Sequence, residues 1–231
     1  MTTSTTLAPR IAEVRRRIEA ACARAGRPVD EVTLVAVTKT HPAETVGEAV
    51  ASGLTAFGEN RAQEFVPKAQ TARERGWAAE WHFIGHLQRN KVREVLPYVD
   101  ILHSLDSERL VREIVARAPE ARPGHRRVKC FLEVNVAGEA QKEGIAPSEV
   151  GPLLEAARAA EILDVRGLMT VAPRAEDPGQ VRHVFAALRE LGAEHGLTEL
   201  SMGMTDDFEV AIEEGATLVR VGRAIFGDRL A

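Results

Sequence analysis

The stretch LVAVTKTH, residues 34–41, shows the pattern from which the fold of this chain is inferred. Five apolar or β-branched residues lead directly to Lys39, and Pro42 follows shortly after it. A short, nearly continuous apolar run predicts a strand buried on both faces, as in a parallel sheet. A charge at the end of such a run is costly to bury, so Lys39 must either reach solvent or serve a purpose there.

The same pattern, a short apolar run followed by an amphipathic segment, occurs eight times. The predicted strands lie at residues 32–38, 54–58, 81–85, 100–104, 128–136, 165–171, 199–203 and 217–222. Apolar residues at helical spacing lie between them, for example at Leu110, Val111, Ile114 and Val115. Eight β/α units in about 200 residues predict an α/β fold, a closed (β/α)₈ TIM barrel. An open doubly wound sheet is the main alternative.

A further amphipathic pattern precedes the first predicted strand. Its apolar positions are Leu7, Ile11, Val14, Ile18 and Cys22, which predict an N-terminal helix within residues 1–27 that packs on the barrel. No linker rich in proline, glycine or serine divides the chain. We therefore expect residues 1–231 to form a single domain.

Composition and charge exclude several classes of protein. The net charge of −4 provides no positive field for nucleic acid or an anionic membrane, and the basic segment 88–93 is predicted to be a solvated face. Cys22 and Cys130 lie far apart, which argues against a disulfide framework and a structural zinc site. The N-terminus lacks a signal-peptide core, and no apolar stretch is long enough to span a membrane. We expect a cytoplasmic protein without a metal.

Polar residues follow the predicted strands, at the end of a barrel where binding and catalytic residues gather. In chain order they are Lys39, Asn60, His86, Ser104, Asp106, Asn135, Thr170, Ser201, Thr205, Arg220, Gly222 and Arg223. The loops after strands seven and eight commonly bind phosphate in such barrels. The segments SMGMT and VGRAIFG carry hydroxyls and glycines in these two places, and a helix opening at Arg223 would favour an anion. Together they favour a phosphate site.

Lys39 has two interpretations at this stage. A lysine that faces a phosphate site across a barrel mouth can form a Schiff base with an aldehyde. Alternatively, the side chain simply extends from the strand end to solvent. Spacing alone favours the second interpretation.

Several longer segments resemble the pyridoxal phosphate homeostasis protein family, whose members have the barrel fold of the alanine racemase N-terminal domain. The matching segments are VAVTKTHP, FGENRAQEF, WHFIGHLQRNK, SLDS, SMGMTDDFEVAI and VRVGRAIFG, which extend from residue 34 to residue 227. The resemblance implies that Lys39 holds pyridoxal 5′-phosphate (PLP) as a Schiff base. It implies a cofactor carrier or buffer that affects amino-acid and keto-acid balance, with apo forms of PLP-dependent enzymes as recipients.

The resemblance also implies the remaining cofactor contacts. Asn60 lines the pocket, Arg220 faces the pyridine nitrogen, and the phosphate is held by Ser201, Met202, Gly203, Thr205, Gly222 and Arg223. The sequence departs from the family pattern at Thr205, where serine is common, and at Arg89, where a small polar residue is usual. Because threonine keeps the hydroxyl, we expect binding to persist.

The resemblance leaves open whether the protein is an enzyme. A two-base alanine racemase adds a C-terminal domain with a catalytic tyrosine, whereas this chain stops at Ala231, and its one tyrosine, Tyr98, is expected in a helix. We therefore expect a monomer with no catalytic residue. The alternatives are a weak PLP-dependent racemase, with His82, His86 or His103 as second base, and a Schiff-base aldolase acting on a phosphorylated sugar.

Overall fold

A computed structural model describes residues 4–122, 124, 127–139 and 141–227, so the first three and last four residues of the predicted domain lie outside the described residues. The strands are β1 (Thr33–Val37), β2 (Ala56–Glu59), β3 (Glu80–Phe83), β4 (Ile101–Leu105), β5 (Val128–Glu133), β6 (Leu163–Met169), β7 (Glu199–Met204) and β8 (Leu218–Val221). All pairings are parallel and follow chain order, and β8 pairs with β1. The predicted barrel is confirmed, and the open sheet is wrong.

The helices alternate with the strands. They are α1 (Ser4–Ala25), α2 (Ala43–Ala51), α3 (Ala62–Glu74), α4 (Val92–Val95), α5 (Glu108–Ala121), α6 (Val150–Ala159), α7 (Arg182–Glu194), α8 (Phe208–Glu213) and α9 (Arg223–Phe226). Helix α2 has a weak apolar stripe, since its buried residues are only Val46 and Ala49. Tyr98 was expected in a helix, and this is wrong: α4 ends at Val95, and Pro97 cannot continue it.

The N-terminal helix α1 packs on the barrel as predicted. Its apolar stripe is buried and joins the main core, and α1 lies against α8 and α9. Arg17, on α1, also contacts α8. Arg17 pairs with Glu209 at 3.0 Å, and its guanidinium lies 4.5 Å from the centre of the Phe208 ring. None of the helices in the described part of the chain has the length and hydropathy of a membrane span.

The barrel interior is built in layers, because alternate residues of each strand point inward. One apolar cluster fills its middle, comprising Val35, Ala56, Ile101, Phe131, Met169 and Leu218. Residues two positions further along the same strands form the next inward layer, nearer the C-terminal mouth. This layer contains polar groups, namely His103, Glu133 and Arg220, all of them buried. The fold therefore places an apolar floor beneath a polar chamber.

Gly167 offers a test of the β6–β7 pairing. A Cβ added there would lie 1.7 Å from the backbone oxygen of Glu199, its partner in β7. Because backbone atoms cannot move aside without breaking the ladder, Gly167→Ala should lower the free energy of unfolding by about 3 kcal/mol or more.

Gly151 in α6 is the matched control for this substitution. A Cβ there would lie 3.5 Å from His195 Cε1, an ordinary contact. Gly151→Ala should therefore stabilise the protein by about 0.5–1 kcal/mol, since alanine is the better helix former. Urea unfolding of both variants checks the pair, and an unchanged midpoint for Gly167→Ala would contradict the pairing.

Candidate functional site

Lys39 lies at the C-terminal mouth of the barrel, two residues after β1, and is half-buried. The next residue, Thr40, has φ of 68°, a conformation that is strained for a β-branched residue. Two hydrogen bonds hold this turn: the amide of His41 donates to Thr38 O at 3.0 Å, and the amide of Thr40 donates to Glu64 Oε2 at 2.6 Å. The backbone that carries Lys39 is therefore fixed by its surroundings.

A buried polar group supports this turn from the outer side of the barrel. Lys68 Nζ donates to Glu59 Oε1 at 2.5 Å and to Thr38 O at 2.7 Å, and the Thr38 hydroxyl donates to Glu59 Oε1 at 2.6 Å. Breaking a buried ion pair leaves an uncompensated charge, which is strongly destabilising. Sequence reasoning missed this group. The charges of Glu59 and Lys68 on otherwise buried faces of β2 and α3 were the available signal.

The loops after β7 and β8 meet at the same mouth. The amide of Gly222 donates to Thr205 Oγ1 at 3.4 Å, which joins the two loops. Gly203 has φ of 90°, and a Cβ there would lie 2.5 Å from Ala211 Cβ, so only glycine lets this loop pack on α8. A Cβ at Gly222 would lie 3.2 Å from Val37 O, which places the β8 loop against the strand that leads to Lys39.

The helix predicted to open at Arg223 is confirmed as α9. Arg223 pairs with Asp206 at 2.5 Å, and both side chains are largely exposed. Met202, by contrast, is fully buried in the core between strands and helices, so only its backbone belongs to the loop side of β7. The structure thus brings Gly203, Thr205, Gly222 and Arg223 together, while the Met202 side chain points away.

Arg220 lies in the polar chamber below these loops, and its side chain is buried. It donates to Ser201 O at 2.8 Å, to Ser201 Oγ at 2.6 Å and to Thr170 O at 2.9 Å. Burial lowers the pKa of Arg220 to about 10, although the charges of Glu133 and Asp207 oppose that shift. The Ser201 hydroxyl was expected at the phosphate, but the structure places it beneath Arg220, because Ser201 shares the inward face of β7.

The three candidate histidines differ in position. His82 and His103 are fully buried inside the barrel, with His82 Nδ1 and His103 Nε2 2.8 Å apart. His86 lies after β3 at the mouth, where its Nδ1 and Asp106 Oδ2 are 2.9 Å apart and its side chain is 41 % exposed. Burial and the neighbouring charges of His82 and Arg220 hold the pKa of His103 well below its usual range. Of the three, His86 alone is open to a ligand from solvent.

Asn60 and Glu133 complete the chamber. The buried Oδ1 of Asn60 and the buried Oε2 of Glu133 have no hydrogen-bond partner within the described residues. Asn60 is held closely by Gly85, where a Cβ would lie 2.3 Å from the Asn60 carbonyl oxygen. Burial, reinforced by Asp106, raises the pKa of Glu133 to about 7. Buried polar atoms without partners are costly, which indicates that a bound molecule completes this site.

One potential metal-binding cluster occurs within the described residues. It consists of His86, Asp106 and Glu143, whose nearest ligand atoms lie within 4.8 Å of one another. Two of these three residues are exposed, and His86 and Asp106 already form a hydrogen bond with each other. The sequence analysis expected no metal, and Glu143 was not among its candidates.

The chain resembles a well-populated group of proteins over nearly its whole length. The family model for the alanine racemase N-terminal domain matches residues 10–230. The pyridoxal phosphate homeostasis protein of Aquifex aeolicus is 43 % identical to this chain, over 95 % of this chain and 97 % of the relative. The pyridoxal phosphate homeostasis protein of Pseudomonas aeruginosa is also 43 % identical, over 97 % of this chain and 96 % of the relative. The solved structure of PipY from Synechococcus elongatus, with PLP bound, has a TM-score of 0.81 and 34 % identity, and covers 96 % of this chain and 100 % of its own.

Glu133 predicts a pH dependence of stability. Its pKa in the folded protein, about 7, is above the ordinary value of 4.5, so folding favours the protonated form. The resulting destabilisation is absent below pH 4.5, grows as the pH rises, and is complete above pH 7. The difference corresponds to about 3 kcal/mol. Glu133→Gln should therefore gain stability relative to wild type between pH 5 and pH 8.

Urea unfolding at both pH values measures this gain. Glu155→Gln, at an exposed position of α6, is the control and should give the same difference from wild type at both pH values. A Glu133→Gln variant whose stability parallels wild type across this range would contradict the buried, protonated state of Glu133.

Proposed function

Because this chain belongs to the pyridoxal phosphate homeostasis protein family, we propose that it binds PLP at the barrel mouth and helps to balance the supply of that cofactor. One observation carries the proposal. Gly222 lies against Val37 O and donates to Thr205 Oγ1, so the glycine loops after β7 and β8 adjoin the strand end that bears Lys39. An amine and an anion-binding loop thus share one mouth, as an aldehyde phosphate requires.

The residues present fit the cofactor on physical grounds. Lys39 would supply the amine, which attacks the aldehyde carbon and releases water, so that the cofactor is held as a Schiff base. Gly203 and Gly222 let backbone amides approach a phosphate, Thr205 adds a hydroxyl, and Arg223 adds a positive charge at the start of α9. Asn60 offers its unpartnered Oδ1 to a donor group of the ligand.

The side chains of Ser201 and Met202, which were expected to contact the phosphate, have other positions in this proposal. Ser201 supports Arg220 through its hydroxyl and carbonyl oxygens, and does not face the phosphate. Met202 contributes its backbone alone, since its side chain is buried in the core. The phosphate is therefore assigned to the loop side of β7 from Gly203 onward and to the β8 loop.

Arg220 would face the pyridine nitrogen of the bound cofactor. An arginine has only N–H donors and no acceptor, so it can bond to that nitrogen only while the nitrogen is unprotonated. PLP supplies an electron sink that is strongest when its ring nitrogen is protonated. Arg220 would therefore favour a protein that holds the cofactor over one that catalyses strong carbanion chemistry. The recipients of the released cofactor would be apo forms of PLP-dependent enzymes.

A PLP enzyme working from this barrel is the second candidate. The observation that favours it is the pair of His86 and Asp106, 2.9 Å apart at the exposed mouth. A carboxylate that orients a histidine is a common arrangement for proton transfer. His82 and His103 are too enclosed for that purpose. The aldolase alternative loses its support, because the family is named for PLP and not for a phosphorylated sugar.

The remaining partners are proposed from charge and composition. The basic residues near 88–93 are partly neutralised, since Lys91 pairs with Glu94 and Arg93 pairs with Glu120, which argues against nucleic acid. Free, buried Cys22 and Cys130 suit a reducing compartment and support a cytoplasmic location. We propose that the protein acts as a monomer.

Borohydride reduction of the protein loaded with PLP, followed by peptide mapping, tests the proposal. We expect a single phosphopyridoxyl adduct on Lys39 and its loss in Lys39→Ala. Lys129→Ala is the matched control, because Lys129 lies at the opposite end of the barrel and should leave the adduct on Lys39 unchanged. An adduct confined to another lysine, or none, would overturn the proposal.

A turnover assay separates the two candidate functions. The carrier predicts that the loaded protein converts D- and L-amino acids negligibly, with rates that do not change in His86→Asn. Strong turnover that is lost both in Lys39→Ala and in His86→Asn would instead establish the enzyme.

A further inference from the structure

Arg220 is a buried cation whose hydrogen bonds all go to uncharged oxygens. Its three bonds, to Ser201 O, Ser201 Oγ and Thr170 O, use three of the five guanidinium N–H groups. The titratable groups that act on it from neighbouring elements are Glu133 on β5, Asp207 after β7 and His103 on β4. Its position therefore depends on neutral acceptors staying correctly oriented.

The Ser201 hydroxyl is the acceptor whose orientation can change. Because arginine cannot accept, Ser201 Oγ must receive the bond from Arg220 and must place its own hydrogen elsewhere. His103 Nδ1 lies 2.8 Å from Ser201 Oγ, and no other acceptor for this hydroxyl is within bonding distance in the described part of the chain. Ser201 thus donates to His103.

This direction determines the protons on both histidines. If His103 Nδ1 accepts, the proton of the neutral ring is on Nε2, which lies 2.8 Å from His82 Nδ1 and donates to it. The proton of His82 is then on its Nε2, which lies 3.4 Å from Glu80 Oε2 but makes no hydrogen bond within the described residues. His82 and Glu80 both line a cavity of about 760 Å³ at the N-terminal end of the barrel. The hydrogen bonds therefore run in one direction, from Arg220 through Ser201 and His103 to His82.

We propose that His103 and His82 are positioning residues that orient Arg220 through the Ser201 hydroxyl, and through Arg220 keep the PLP ring nitrogen unprotonated. This inference rests on the proposed function. With the hydroxyl turned toward His103, a lone pair of Ser201 Oγ stays available to Arg220. The guanidinium is then held from below, and its remaining N–H groups can donate to the ring nitrogen at the mouth.

Removing the acceptor at position 103 would disturb this arrangement. In His103→Leu the Ser201 hydroxyl loses its acceptor, so nothing keeps its lone pair turned toward Arg220. Arg220 would then lose a bond and some of its fixed orientation. His103→Asn is the conservative variant, because the amide oxygen of asparagine can occupy nearly the place of Nδ1 and accept from Ser201.

The direction of the bonds can be tested without any cofactor. The ¹⁵N chemical shifts of the histidine rings report which nitrogen carries the proton. In both His103 and His82 the proton should be on Nε2. A proton on Nδ1 of His103 would overturn the inference, whether or not the protein binds PLP.

The effect on the cofactor is tested with PLP labelled with ¹⁵N at its ring nitrogen. In His103→Leu the pH midpoint for ring protonation should rise by about one pH unit, which corresponds to the loss of one hydrogen bond. His103→Asn should restore the wild-type midpoint. His183→Leu, at an exposed position of α7, is the matched control and should not change it.

The outcomes separate a positioning function from a structural one. If His103→Leu lowers only thermal stability or occupancy and leaves the midpoint unchanged, the inference is overturned. If His103→Leu fails to fold, Ser201→Ala removes the same link with little change in volume and should raise the midpoint similarly. A wild type that forms no borohydride adduct overturns the proposed function, while the histidine tautomers still decide whether Arg220 is held in this way.

Discussion

The parallel pairing of β8 with β1 is the constraint on which the rest of the molecule depends. It aligns Val35 with Arg220 and Ala36 with Val221, and so closes the barrel. Closure removes two exposed sheet edges and at the same time brings together residues some 180 positions apart in sequence. Lys39 continues from β1, and Gly222 continues from β8, so both reach the same mouth. Without this pairing Lys39 and the glycine loops after β7 and β8 would not share one mouth.

The interior of the barrel shows a division between stability and binding. The apolar middle layer supplies burial, whereas the layer above it contains Arg220, Glu133 and His103. Burying such groups is unfavourable unless they are paired or change their protonation. The three groups avoid this cost in different ways. Arg220 donates hydrogen bonds to neutral oxygens. Burial raises the pKa of Glu133 to about 7 and lowers the pKa of His103, which favours the uncharged form of each. The chamber is thus a polar site kept free of net buried anions, which suits an anionic ligand above it.

The fold was predictable from sequence because burial on both faces leaves a direct mark, a continuous apolar run. All eight strands were found in this way, whereas the opening of α9 was expected from the segment VGRAIFG. Side-chain direction was less accessible. Ser201 and Met202 are neighbours, yet Ser201 faces the chamber and Met202 faces the outer core. Composition does not show this difference, whereas the pairing of Ser201 with the inward-facing Leu218 does. The ion pair of Glu59 and Lys68 was missed because charged residues normally indicate exposure, and their burial follows only from how α3 packs on β2.

The geometry of the barrel mouth, with Lys39 and Arg220, suggests how a site could bind a cofactor without using it in catalysis. A bond between Lys39 and an aldehyde forms with loss of water and breaks with its return, so a half-buried lysine at an open mouth can bind and release by one reversible step. Further chemistry needs a ring nitrogen that withdraws electrons and a base close to the reacting carbon. In the proposed site Arg220 would oppose the first requirement, since it can only donate. Of the three candidate histidines, two are enclosed within the barrel, one of them bonded to Ser201, and the third, His86, faces solvent. The features that fix Arg220 would therefore favour storage and release in the proposed site, through residues that need not touch the substrate of any reaction.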